Sequence, residues 1–182
     1  MNAIQIMNNE HKYITRMLKV ARIMSKNILN GKEIDYDDFD LVIEFIKNYA
    51  DNHHHKKEED LLFNRMIENL GEVAEKVVKH GMIVEHDFGR LYVSDLKIAL
   101  EKVKNGDDEA KLDVIASLIS YTHLLERHIT KEDNVIYTFA QRELTKEVMD
   151  LVDKEYVEFE EKNSTIRDKY IKILEQLELK YL

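Results

Sequence analysis

The chain has 182 residues, enough for one domain with a sizeable core, and combines 44% hydrophobic and 35% charged residues with a net charge of -9. That balance excludes a disordered chain and, with no basic cluster, a surface built to neutralise nucleic-acid phosphates. The absence of Cys removes disulfides, thiolate-held metals and thiol nucleophiles together, so any bound metal must be held by N and O.

With no Pro and five Gly, few breakers interrupt the chain, which favours a few long helices over many short strands. Met7, Ile14, Leu18, Ala21 and Ile28 recur at helical spacing, so residues 3–29 read as one amphipathic helix ended by Asn30-Gly31. Asp37 or Asp38 is the expected cap of a second helix, which carries Phe39, Ile43, Ile46, Ala50, Leu61, Leu62 and Met66 and closes at Gly71. A third helix spans about 72–104, with Ile83, Val93, Leu96, Leu100 and Val103 on one face and Gly81 as a candidate division. Asn105-Gly106 stops it. Asp107 or Asp108 opens a fourth through Leu112, Ile115, Ile119, Leu125, Val135, Ile136 and Phe139. Four long helices joined by short turns predict an all-α, up-down-up-down four-helix bundle over about 3–140.

An additional C-terminal helical segment follows over about 144–182, with Val148, Leu151, Val152, Tyr156 and Phe159, then Ile166, Tyr170, Ile173, Leu174 and Leu177. Asn163-Ser164 is its candidate break. It holds no histidine, and its apolar face is expected to cover the bundle or to meet a protein partner. No linker divides 1–182 into separate domains. The first residues carry neither a basic leader nor an apolar run, and no stretch reaches the roughly 20 apolar residues of a membrane span, so a cytoplasmic protein with no membrane role is expected.

The sequence that locates a site is an internal echo of chemistry. His54-His55-Lys56-Lys57-Glu58-Glu59-Asp60-Leu61-Leu62-Phe63 aligns with His128-Ile129-Thr130-Lys131-Glu132-Asp133-Asn134-Val135-Ile136-Tyr137. In each, a His and a Glu four residues later share one helix face about a turn apart. Of the three consecutive histidines, His54 continues the apolar stripe Ile43, Ile46, Ala50, whereas the face of His55 carries Asn48, Asp51 and Asn52. His54 with Glu58 is therefore the favoured pair, and His55 with Glu59 the alternative. His11 and His86 occupy core-facing positions on the first and third helices. One inward histidine is ordinarily a hydrogen-bonded core residue, but four of them with two inward glutamates are the donors a pair of cations requires.

Tyr121, two turns from His128 on nearly the same face, is read as core, with a hydrogen-bonding or redox-neighbour role as the sharper alternative. His80 and His123 are read as surface or structural residues. Ferritin-like di-iron proteins, which use Glu-x-x-His pairs, fit the His-x-x-x-Glu order poorly.

At Glu10-His11-Lys12-Tyr13-Ile14, the two echoing segments and Glu85-His86-Asp87-Phe88-Gly89-Arg90, the chain resembles the hemerythrin-like (HHE cation-binding) family over about 8–140. The resemblance implies a hemerythrin-like bundle with an oxo- or hydroxo-bridged pair of Fe ions held by His11, His54, Glu58, His86, His128 and Glu132, the two glutamates bridging. Zinc and manganese accept the same donors. The oxygen carriers of the family place two histidines one turn apart on the third helix, whereas Met82 and Arg90 stand at those spacings here. Four imidazoles, two bridging carboxylates and one bridging oxygen fill about ten of about twelve positions around two octahedral ions. His80, His55 and His53 are the candidates for a fifth nitrogen.

The resemblance implies a protein that binds or senses O2 or a related small molecule such as NO or peroxide. The alternatives are peroxide or NO detoxification, delivery of iron for iron–sulfur repair, and iron storage or sensing in which the C-terminal segment responds to occupancy.

Overall fold

The stops marked by Asn and Gly hold in the computed structural model, which describes residues 1–182 as helices and short turns with no strand. Helix α1 (Ala3–Leu29) starts at an Asn2 capping box with Gln5 and ends where Gly31 takes φ +76°, a left-handed turn that a side chain would strain. Helix α2 covers residues 36–70. Its cap is Asp35, whose carboxylate accepts the Asp38 N–H at 3.2 Å, rather than Asp37 or Asp38, which lie inside the first turn. Helix α3 covers 72–104 and passes Gly81 without a break. Helix α4 covers 108–143, opening as a short 3-10 turn after Asp107.

Helix α5 (Lys146–Tyr181) is one continuous helix, contrary to a break at Asn163-Ser164. Both polar side chains fold back onto its own carbonyls, Asn163 Nδ2 donating to Phe159 O at 2.9 Å and Ser164 Oγ to Glu161 O at 3.2 Å, so neither supplies a stop.

The first four helices form the bundle, and α5 lies against α1 and α2. Two apolar cores result. One is built on Ile14, Leu18, Phe45, Leu96, Leu118 and Leu125 and takes Tyr170, Leu174 and Leu177 from α5. The other contains Ala3, Met7, Phe63, Met66, Ile136 and Tyr137 and takes Val152 and Tyr156 from α5. Between them lies a buried polar layer. Several residues assigned inward by spacing alone, Leu112, Val135, Leu151 and Ile166, are exposed. No helix is long and apolar enough to cross a membrane.

Candidate metal centre

The polar layer sits where the helices are locally widened. Stretches Ile46–His55 and Glu58–Phe63 of α2, Val78–Met82 of α3 and Glu132–Ile136 of α4 form π-turns, closed by bonds such as Lys56 N–H to Asp51 O and Tyr137 N–H to Glu132 O. A π-turn advances each residue by less than the ~100° of an α-helix. Three consecutive side chains can then face inward, and His53, His54 and His55 are all buried.

The six residues singled out by the echo and its two partners, His11, His54, Glu58, His86, His128 and Glu132, converge and are at most 2% exposed. His11 Nε2 and His54 Nε2 stand 2.9 Å apart, and His86 Nε2 and His128 Nε2 3.0 Å apart. Two nitrogens each about 2.1 Å from one cation and at right angles to one another are separated by about 3.0 Å. Glu132 reaches both pairs, with Oε2 3.2 Å from His11 Nε2 and Oε1 3.0 Å from His128 Nε2. Glu58 Oε2 lies 3.5 Å from His54 Nε2 and 3.9 Å from His86 Nε2. Glu58 Oε2 is buried without a hydrogen-bond partner, and the Glu132 oxygens, though faced by His11 and His128, make no aligned hydrogen bond, so cations between the pairs would serve all three.

His55 joins this cluster, correcting the reading of its face as polar. It is 4% exposed, its ring stacks on His86 with centroids 3.9 Å apart, and its Nε2 is buried without a partner among His86 and His128. The π geometry of residues 46–55 turns this face inward together with that of His54, and of the three candidates for a fifth nitrogen His55 is the one placed among the other imidazoles. His53 points to the other side, with Nε2 3.0 Å from Glu160 and 3.2 Å from Glu10. His80 and His123 are exposed and away from the cluster.

Around the donors runs a ring of carboxylates that fixes each imidazole from behind. His54 Nδ1 meets Glu10 at 2.8 Å, His128 Nδ1 meets Glu85 at 2.9 Å, His86 Nδ1 meets Glu59 at 2.6 Å, and His11 Nδ1 meets Asp133 at 2.7 Å. The arrangement has a pseudo-twofold logic. The acid before the histidine of α1 or α3 serves the next helix's histidine, and the acid after Glu58 or Glu132 serves the histidine of α3 or α1. Even the lysines repeat, Lys57 donating to Glu10 and Lys131 to Glu85.

Residues 2–140 match the hemerythrin HHE cation binding domain. The chain belongs to that family. It is therefore a cation-binding bundle, and the buried His and Glu clusters of this hemerythrin domain fit a metal site. No curated protein matches the chain significantly.

The electrostatics of this buried cluster set its groups far apart. Burial pushes the Glu58 carboxyl up to about 8, helped by the charge of Glu132. Burial also works against ionised Glu132, but the surrounding His128, His11 and His86 outweigh it and hold that carboxyl well below the usual range. Against their own burial, His11 is raised to about 9 by Asp133 and Glu132, and His128 to about 10 by Glu132 and Glu85. Burial lowers His54 to about 4 and drives His55, crowded by other imidazoles, well below its ordinary value.

Two functional neighbours were missed from sequence. Tyr137, the aromatic that closes the second echo, donates its hydroxyl to Glu58, stands 3.4 Å from His11 Nε2 and stacks on the His11 ring. Its counterpart Phe63 stacks on His86. Tyr121, the tyrosine weighed from helix phase, is buried and lines a cavity beside His55 and His86.

Proposed function

We propose that this domain holds two iron ions and reversibly binds a small molecule, O2 or NO, at them. In this reading His11 and His54 would hold one ion and His55, His86 and His128 the other, with Glu58 and Glu132 within reach of both. The observation that carries it is the uneven distribution of imidazoles, two on one side of the glutamates and three on the other. With His55 counted, five imidazoles and two carboxylates would be available to hold two ions, one nitrogen more than four histidines would offer. That fuller donor set would suit reversible binding better than four histidines would.

Bound iron supplies the Lewis acidity and the electrons. The chain supplies the rest. Glu10, Glu59, Glu85 and Asp133 hold the Nδ1 protons of their histidines so that each Nε2 faces inward as a donor. The apolar cores above and below exclude bulk water. On the side with fewer imidazoles, the Tyr137 hydroxyl stands beside His11; its proton goes to Glu58 in this structure and would be free for an incoming molecule once Glu58 held iron.

Metal analysis and an absorption spectrum of protein purified without added metal test the centre, with two irons per chain and oxo-to-iron charge-transfer bands expected. Stopped-flow mixing of the reduced protein with O2 tests its use. Apo protein or a single zinc would overturn the first part, and immediate irreversible oxidation the second.

A further inference from the structure

A cavity of about 220 Å³ opens between α2, α3 and α4 on the three-imidazole side of the centre. Its floor is His55, His86, Gly89 and Tyr121, and its walls and mouth include Lys47, Asp51, Arg90, Ser94 and Lys97. At roughly 30 Å³ per water it holds about seven waters. That is more room than a diatomic molecule needs and less than a nucleotide requires.

The polar groups around it are unevenly employed. Arg90 is fully engaged, with Asp51 at 2.8 Å, Glu59 at 2.9 Å and Asp87 at 2.8 Å. Asp51, the one acid of the lining, is thereby taken. Lys47 and Lys97 make no ion pair and no hydrogen bond, and neither does the hydroxyl of Ser94 or of Tyr121, although Tyr121 as a residue is only 3% exposed. Two ammonium groups and a hydroxyl, all on exposed residues at the mouth, and the hydroxyl of buried Tyr121 thus face a cavity whose acid is already paired, in a chain whose net charge is -9. Uncommitted donors of this kind are complementary to an acceptor-rich anion.

We infer that this cavity is a binding site for a small anionic molecule, a carboxylate or oxyanion of a few heavy atoms, gripped by Lys47 and Lys97 and hydrogen-bonded by Ser94 and Tyr121. The groups that would grip the anion, Lys47, Ser94, Lys97 and Tyr121, are not metal donors in the reading above, and the inference does not depend on that reading. Its floor nevertheless touches His55 and His86, and its rim touches the Asp51–Arg90–Glu59 chain behind them, so occupancy is felt at the centre.

Isothermal titration of the protein as purified, with acetate, succinate, nitrate and phosphate in turn, tests the site while the absorption spectrum is followed in parallel. The carboxylates and the inorganic oxyanions separate the two sources of the anionic group. At least one is expected to bind with Kd below about 10 mM, and K47Q/K97Q to weaken it about tenfold or more. Tyr121→Phe, which removes one hydroxyl and keeps the ring, is expected to weaken it less. In crystals soaked in bromide, an anomalous peak between Lys47 and Lys97 is expected. No binding by any of the four, or binding that K47Q/K97Q leaves unchanged, overturns the inference. If the latter binding also shifts the metal bands, the anion is ligating the metal directly. A protein without iron that still binds the anion through these lysines refutes the proposed function and leaves this site standing.

Discussion

Replacing His55 by Leu separates its role as a metal donor from that of a packed core residue, because the two roles predict opposite signs in two states of the protein. In the metal-free chain the His55 imidazole is 4% exposed, its Nε2 has no partner, and its Nδ1 is 3.6 Å from Asp51, too far for a hydrogen bond. Leaving a buried polar group unsatisfied costs about 1–3 kcal/mol. Leu fills a similar volume and carries no such group, so metal-free H55L should be the more stable protein by about that amount. For a chain of this size that raises Tm by about 2–12 °C. With metal the sign reverses. Losing even a residue behind a metal ligand weakens binding about 10–100-fold, and losing a ligand should cost at least the upper figure. The assay is thermal and denaturant unfolding of both proteins in chelator and after iron loading, with metal content measured on each. The reasoning fails if metal-free H55L is less stable than the parent while its iron content is unchanged.

The repeat of the two half-sites supplies an internal control: Lys57 is fully buried between Glu10 and Glu160, whereas the Lys131 side chain is 47% exposed beside Glu85. Lys57→Met should cost about 3–5 kcal/mol in denaturant unfolding by taking the cation from buried Glu10 and half-buried Glu160, which keep His53 and His54 as partners, and Lys131→Met less than about 1 kcal/mol; equal losses would contradict the burial argument. Raised to about 9, about 10 and about 8, His11, His128 and Glu58 all hold protons near neutral pH in the metal-free domain and must give them up to bind metal. Metal binding should therefore release protons and weaken as pH falls, and calorimetry in buffers of different ionisation enthalpy would expose the idea as wrong by showing no net release. Tyr137→Phe should retain the metal but let the small molecule dissociate about threefold to tenfold faster, the worth of one hydrogen bond; an unchanged stopped-flow off-rate would remove Tyr137 from the binding role.

Much of this arrangement was legible in the chain because its signals are local. Asn30-Gly31, Gly71 and Asn105-Gly106 end helices through backbone preference, and His11, His54, His86 and His128 each fall in the phase of an apolar stripe. His55 could be read only as an alternative to His54 for one physical reason: an apolar stripe marks the inner face at the α-helical period, and residues 46–55 do not keep that period. The orienting acids were visible as neighbours of the donors, since Glu10, Glu85, Glu59 and Asp133 each sit beside a donor, yet adjacency in a helix does not reveal that each serves a histidine on another helix. Glu160 was beyond reach, because its partner Lys57 lies more than a hundred residues away and only the packing of α5 brings them together.

That contact explains what α5 adds to a bundle that already has two cores. Symmetry between the half-sites would leave Glu10–Lys57 as open to water as Glu85–Lys131. By laying Glu160 on Lys57 at 2.5 Å and packing Phe159 and Tyr156 around the ammonium, α5 encloses one half and leaves the other near the surface. The enclosed half is the one whose Glu10 orients His54, on the side with two imidazoles. The exposed half is the one whose Glu85 orients His128, on the side with three and with the cavity. A pair of equivalent half-sites is thus made unequal twice, by His55 in place of the Ile129 position and by a helix that covers only one of them, and both asymmetries fall the same way: the half with the extra imidazole is the half left open to the cavity.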